Sequence, residues 1–150
     1  MGAGQEPQQR GDSLNIQAIA STGTAVEIKS VGVVGAGQMG SGIAQVCALT
    51  GFNVWLNDIS VDRIESGVAR IFESLSRQIA KGLLSGSDRD VAIARVQPAV
   101  GYQTFSRCDL VIEAAAENET VKRQIFKALC PFLSPRAIVE TNTSSISITA

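Results

Sequence analysis

VGVVGAGQMGSGIAQVCALTGFNVWLNDIS, residues 31–60, decides how the rest of this chain is read. It opens on Val31, Val33 and Val34, a short β-branched run that suits a buried strand. It passes through Gly35-Ala36-Gly37-Gln38-Met39-Gly40 into residues 38–50, where small and apolar residues recur at helical spacing. Gly51 stands where a helix C-cap belongs. Residues 53–57 (NVWLN) read as a second strand, and Asp58 follows it directly, 18 residues after Gly40.

Each glycine has a task if this is a strand–turn–helix unit. Gly35 permits the tight turn, Gly37 lets a pyrophosphate approach the backbone, and Gly40 lets the helix pack closely on the strand. The helix start, with Gln38 and Met39 in its first turn, offers amide hydrogens and a partial positive charge to an anion. Asp58 is placed to accept hydrogen bonds from the hydroxyls of an adenosine ribose. In a chain with 14 glycines the pattern alone also describes a glycine-rich turn. The preceding strand, following helix and distal carboxylate together make it a dinucleotide site. A carboxylate at 58 repels the 2′-phosphate of NADP, and Ile59 and Ser60 bring no compensating charge. Arg63 is either a phosphate ligand or a solvated helix charge. NAD is therefore expected over NADP, with FAD left open because flavoproteins share the fingerprint.

Beyond residue 60 strands and helices keep alternating. A helix is expected from the Ser60 N-cap to about Lys81, a break over 82–87, and a second short helix over 88–95. Residues 96–100 (VQPAV) suit a short edge strand because of Pro98. Residues 110–114 (LVIEA) form a buried strand. Residues 119–130 form an amphipathic helix with Val121, Ile125, Phe126 and Leu129 on one side, and residues 137–141 (AIVET) a last strand. The expected fold is α/β: a doubly wound Rossmann sheet of parallel strands in the order 3-2-1-4-5, with a helix–turn–helix excursion after strand two. A sixth strand would complete such a sheet, and the sequence reads as stopping one strand early. An open fifth strand bearing Ile138 and Val139 is expected to self-associate, to be checked by sedimentation over a range of concentrations.

Length and composition agree with one such domain over 29–150 and a polar tail over 1–28. Net charge is −1, so nothing favours nucleic acid or an anionic membrane surface, and no apolar run is long enough to span a bilayer. Cys47, Cys108 and Cys130 lack CxxC spacing and read as free thiols in a reducing cytoplasm. No metal site is expected. The start of the chain lacks the pattern of a signal or transit peptide, and Glu6 stands where a myristoylation motif needs Ser or Thr.

Three stretches in this order, residues 31–60, DLVIEAAAENETVKRQIF (109–126) and TNTSSISIT (141–149), resemble the N-terminal domain of the 3-hydroxyacyl-CoA dehydrogenase family, whose members include 3-hydroxybutyryl-CoA dehydrogenases. The resemblance implies NAD-dependent oxidation of C3 of a 3-hydroxyacyl-CoA in fatty acid metabolism, including β-oxidation. It implies that Glu117 and Lys122 lie near the nicotinamide ribose, that Asn142 and Ser144 lie near the substrate's reacting oxygen, and that Ser74 and Lys81 meet coenzyme A. The plainer readings are a solvated helix start for Glu117 and Lys122, a polar turn for Asn142 and Ser144, and exposed helix residues for Ser74 and Lys81. In the family the general base is a histidine beyond the NTSS motif, a following helical domain completes the acyl-CoA pocket, and full-length members form homodimers. This chain contains no histidine, so by itself it is expected to show little or no turnover. The alternatives are a non-catalytic nucleotide-binding module, a structural role such as that of the related lens crystallins, and a Rossmann dehydrogenase acting on a non-CoA hydroxy acid.

Overall fold

The computed structural model describes residues 27–115 and 118–141. Five strands, β1 (Ser30–Val34), β2 (Asn53–Asn57), β3 (Val96–Ala99), β4 (Leu110–Glu113) and β5 (Ile138–Thr141), form one parallel sheet in the order β3-β2-β1-β4-β5. This is the order read from the sequence. The connections run through helices α1 (Gln38–Thr50), α2 (Val61–Ala80), α3 (Gly86–Ala94) and α4 (Glu119–Leu129). Two 3-10 turns, Gln103–Arg107 and Cys130–Phe132, complete the described elements.

Side chains alternate across the sheet as the pleat requires. Val31, Val33, Val54, Leu56, Leu110 and Ile112 join one core with α1, α2 and α3. Val34 and Val111, with Trp55 and Val139, join a second core with Phe105, Cys108 and the α4 residues Phe126 and Leu129. Covering both faces is what permits an all-parallel sheet. Gly32 breaks the run of valines for a steric reason: a Cβ there would stand 3.0 Å from the Phe105 ring, which occupies that place from the 3-10 turn.

Local signals set most boundaries. Ser60 caps α2 by accepting from the Arg63 N–H (3.2 Å), and Gly51 ends α1 in the left-handed region (φ 118°). Three expectations shift. The second helix of the excursion starts at Gly86, because Ser85 caps it by accepting from the Asp88 N–H (3.0 Å). Ile28, expected to end the tail, is buried in the first core. On α4 Val121 is exposed, and Lys122 takes the inward position beside Phe126 and Leu129. Residues 1–26, the bulk of the expected tail, lie outside the described residues, as do those after Thr141. No helix among the described residues is long and apolar enough to cross a membrane.

Cys47 and Cys108 are buried, and Cys130 is exposed. Burial pushes both inner thiols up to about 12, and the charge of Asp109 adds to the effect at Cys108. A thiol reagent should therefore count one cysteine in the native protein and three after unfolding. The unfolded thiols release their protons near the usual 9.0 and the folded ones near 12, so these groups favour the unfolded chain increasingly across that interval. Denaturant midpoints measured with rising pH should fall over this window, and should fall less in a Cys47→Ala variant.

Candidate functional site

The turn between β1 and α1 is built by contact. Gly35 has a φ of +108°, and a Cβ there would lie 2.7 Å from the Cα of Ala115. A Cβ on Gly40 would lie 1.7 Å from the carbonyl oxygen of Gly35. Both positions thus exclude a side chain by geometry. Gly37 differs: nothing stands within 4 Å of the place its Cβ would take. It is the N-cap of α1, with no side-chain cap and no acidic residue in the first turn. Gly37, Gln38 and Met39 are all exposed at this helix start. The turn therefore presents backbone amides and a helix N-terminus to open space, the arrangement that receives a phosphate.

Asp58 at the end of β2 is fixed from two sides. Its Oδ2 accepts from the Ala36 N–H (2.7 Å) and its Oδ1 from the Ile59 N–H (2.6 Å). A carboxylate has about four acceptor positions, so capacity remains for ribose hydroxyls. A cleft of about 260 Å³ opens beside it, lined by Ala36, Gly37, Asp58, Asp62, Arg63, Ser66 and Arg70. Arg63, read from sequence as either a phosphate ligand or a solvated charge, thus lies on the cleft wall.

Helix α2 forms the outer wall because it can come unusually near. A Cβ on Gly67 would stand 2.8 Å from the carbonyl oxygen of Ala36. That carbonyl accepts from Ser41 Oγ (3.0 Å) and from Arg70 Nη1 (3.2 Å). At 100° per residue, Arg63, Ser66, Arg70, Ser74 and Lys81 share one side of α2. Ser74 is half-buried, and Lys81 is exposed at the C-cap. The two residues expected to meet coenzyme A therefore continue the stripe that begins at the cleft.

The other side of the site is organised by a buried charge. Glu113 ends β4 with no exposed surface. It receives the ammonium of Lys122, the Ala115 N–H at Oε2 (2.7 Å) and the Thr141 hydroxyl at Oε1 (3.1 Å). Lys122, expected beside the nicotinamide ribose, is 1% exposed and turned toward Glu113. Burial raises the pKa of the Tyr102 phenol, and the charges of Asp58 and Glu113 raise it further. Glu117, Asn142 and Ser144 lie outside the described residues. Among the described residues no cluster of metal-ligating side chains occurs.

The sequence reading missed Ser41, Gly67, Arg70 and Glu113. Gly67, alone inside a helical pattern, was an available signal of close backbone approach. Glu113, a carboxylate in the apolar run LVIEA, was another. Gly67→Ala should lower stability by about 1–3 kcal/mol, as overpacking does. Gly40→Ala should lower it more, because its Cβ would stand 1.7 Å from a backbone oxygen, against 2.8 Å at Gly67. Thermal melts rank the two, and a Gly67→Ala melt equal to that of the unaltered chain would show that α2 does not press on the turn.

The match with known proteins covers the same region. A family model described as 3-hydroxyacyl-CoA dehydrogenase, NAD binding domain, matches residues 30–150. The 3-hydroxybutyryl-CoA dehydrogenase of Bradyrhizobium diazoefficiens is 53% identical over 125 residues, which are 83% of this chain and 43% of that protein. The crystal structure of (S)-3-hydroxybutyryl-CoA dehydrogenase PaaH1 from Ralstonia eutropha matches with a TM-score of 0.78 at 45% identity, over 82% of this chain and 44% of that one. The crystal structure of M. tuberculosis FadB2 matches with a TM-score of 0.76 at 42% identity, over 79% of this chain and 42% of that one. The chain thus spans less than half the length of these relatives. With the glycine-rich turn and Asp58 both inside the matched residues, the chain belongs to the 3-hydroxyacyl-CoA dehydrogenase family, in its NAD-binding domain.

Proposed function

We propose that this chain is the cofactor-binding part of an NAD-dependent dehydrogenase that reversibly oxidises the C3 hydroxyl of a 3-hydroxyacyl-CoA in fatty acid metabolism. The observation that carries the reading is the open space at Gly37 beside the Asp58 carboxylate. The amides of Gly37 and the α1 start would hold the pyrophosphate, and Asp58 would accept from the adenosine ribose and repel a 2′-phosphate. Bound NAD would supply the hydride acceptor. Ser74 and Lys81 would meet coenzyme A at the far end of the α2 stripe, and Glu117, Lys122, Asn142 and Ser144 would serve the nicotinamide and substrate side, as the family resemblance implies. The names of the relatives suggest a substrate of butyryl length. Three unpaired cysteines support a cytoplasmic setting.

The chemistry also requires a base for the hydroxyl proton. The chain has no histidine to act as one, and a general base contributes about 10²–10⁴-fold in rate. A second reading is a nucleotide-binding module without turnover. Both readings require cofactor binding, and 3-hydroxybutyryl-CoA oxidation by the isolated chain should be near background under either.

Calorimetric titration with NADH and NADPH tests the shared requirement. NADH should bind clearly more tightly. Asp58→Ala should weaken NADH about tenfold or more, the effect of losing hydrogen bonds to a charged group. Gly37→Ala should melt like the unaltered chain yet lose most NADH affinity, because its methyl would fill the space left for the pyrophosphate. Undiminished NADH binding by a folded Gly37→Ala variant would remove the proposed pose.

A further inference from the structure

We infer that Glu113 is a positioning residue for the nicotinamide half of the site, acting through Lys122 and the backbone of Ala115. The inference rests on the cofactor reading above and adds a residue to it.

The strand order reverses between β1 and β4, and in open α/β sheets the ligand crevice lies outside the carboxyl ends of the strands at that point. Gly35 leaves β1 there and Ala115 leaves β4 there, and they meet so closely that a Cβ on Gly35 would stand 2.7 Å from Ala115 Cα. Asp58 lies on the β2 side of this crevice and marks the adenosine end. The nicotinamide end then falls on the β4–β5 side, above Glu113 and Thr141, which are register partners.

On that side the Glu113 carboxylate holds, among the described residues, Lys122 of α4, Ala115 just after β4 and Thr141 of β5. A buried ion pair is a poor way to stabilise a fold, because desolvating two charges offsets much of their attraction. Phe126 and Leu129 already secure α4 to the second core. What the carboxylate does set is the position of the Ala115 amide at the carboxyl end of β4. Asn118 caps α4 by accepting from the Val121 N–H (3.1 Å). In this arrangement the Lys122 ammonium is held at the Glu113 carboxylate, which fixes where it stands beneath the nicotinamide side.

ADP carries the adenosine and pyrophosphate but not the nicotinamide riboside, so comparing ADP with NADH separates the two halves. Removing both charges together, Glu113→Gln with Lys122→Met, avoids stranding a buried ion. In the full chain this double variant should lose about tenfold or more in NADH affinity while ADP affinity stays within about twofold. Thr141→Val, which removes one hydrogen bond and keeps both charges, is the milder second variant and should shift NADH alone by about threefold. Equal weakening of NADH and ADP in either folded variant would mark a purely structural pair and overturn the inference, as would unchanged binding of both. Should the double variant fail to fold, the Thr141→Val comparison decides by the same criterion. Failure of the unaltered chain to bind NADH would remove the cofactor reading itself, and this inference with it.

Discussion

The carbonyl oxygen of Gly35 lies where a Cβ on residue 40 would stand, 1.7 Å away, and much of the domain depends on that contact. It lets α1 leave β1 without a gap, so that Ala44, Cys47 and Ala48 reach the strands. It also aims the helix start at the crevice rather than along the sheet. The same logic repeats one layer out. Gly67 admits the Ala36 carbonyl, and Ser41 and Arg70 donate to that oxygen. Helix α2 is thus docked on the glycine-rich turn, and the cleft beside Asp58 is the space left between them.

Two kinds of polar group hold the carboxyl edge of the sheet. On the β2 side Asp58 is half-exposed and tied by backbone amides, which leaves acceptor positions on its carboxylate open. On the β4 side Glu113 is fully enclosed and tied by a side-chain cation, a hydroxyl and an amide. Between strands β2 and β3, Asn57 donates from Nδ2 to the Ala99 carbonyl (2.7 Å), closing the end of that pair. The edge is therefore tied from β3 to β2, from β2 to the turn after β1, and from β4 to β5, the kind of bracing that preorganises a site.

Most of the fold was legible because its signals are local. Valine runs, the capping serine at 60 and Gly51 each act within a few residues. The glycine fingerprint and Asp58 were legible for the same reason, and their meeting in space follows from the strand order. What was illegible depends on distant partners. Lys122 looks like a solvated residue of an amphipathic helix until Glu113, nine residues earlier, is known to lie beneath it. The turn at Gln103–Arg107 has no helical periodicity of its own, and Phe105 is held because Gly32 of another strand leaves room for its ring. Arg70 reads as a surface charge until its carbonyl acceptor arrives from the glycine-rich turn.

Pro98 has a consequence that reaches outside the domain. It sits in β3, which among the described strands pairs only with β2. The Arg95 carbonyl accepts from Val54 of β2, and by alternation Pro98 turns its backbone nitrogen away from that neighbour. A proline nitrogen has no hydrogen to give, so the outer margin of β3 lacks a donor at the middle of its ladder. The described sheet is in this sense a one-sided template. Its β3 margin refuses a further strand, while its β5 margin, with half-buried Ile138 and Val139, keeps the backbone groups of an ordinary strand. Any additional strand, from the same polypeptide or from another molecule, is directed to one flank.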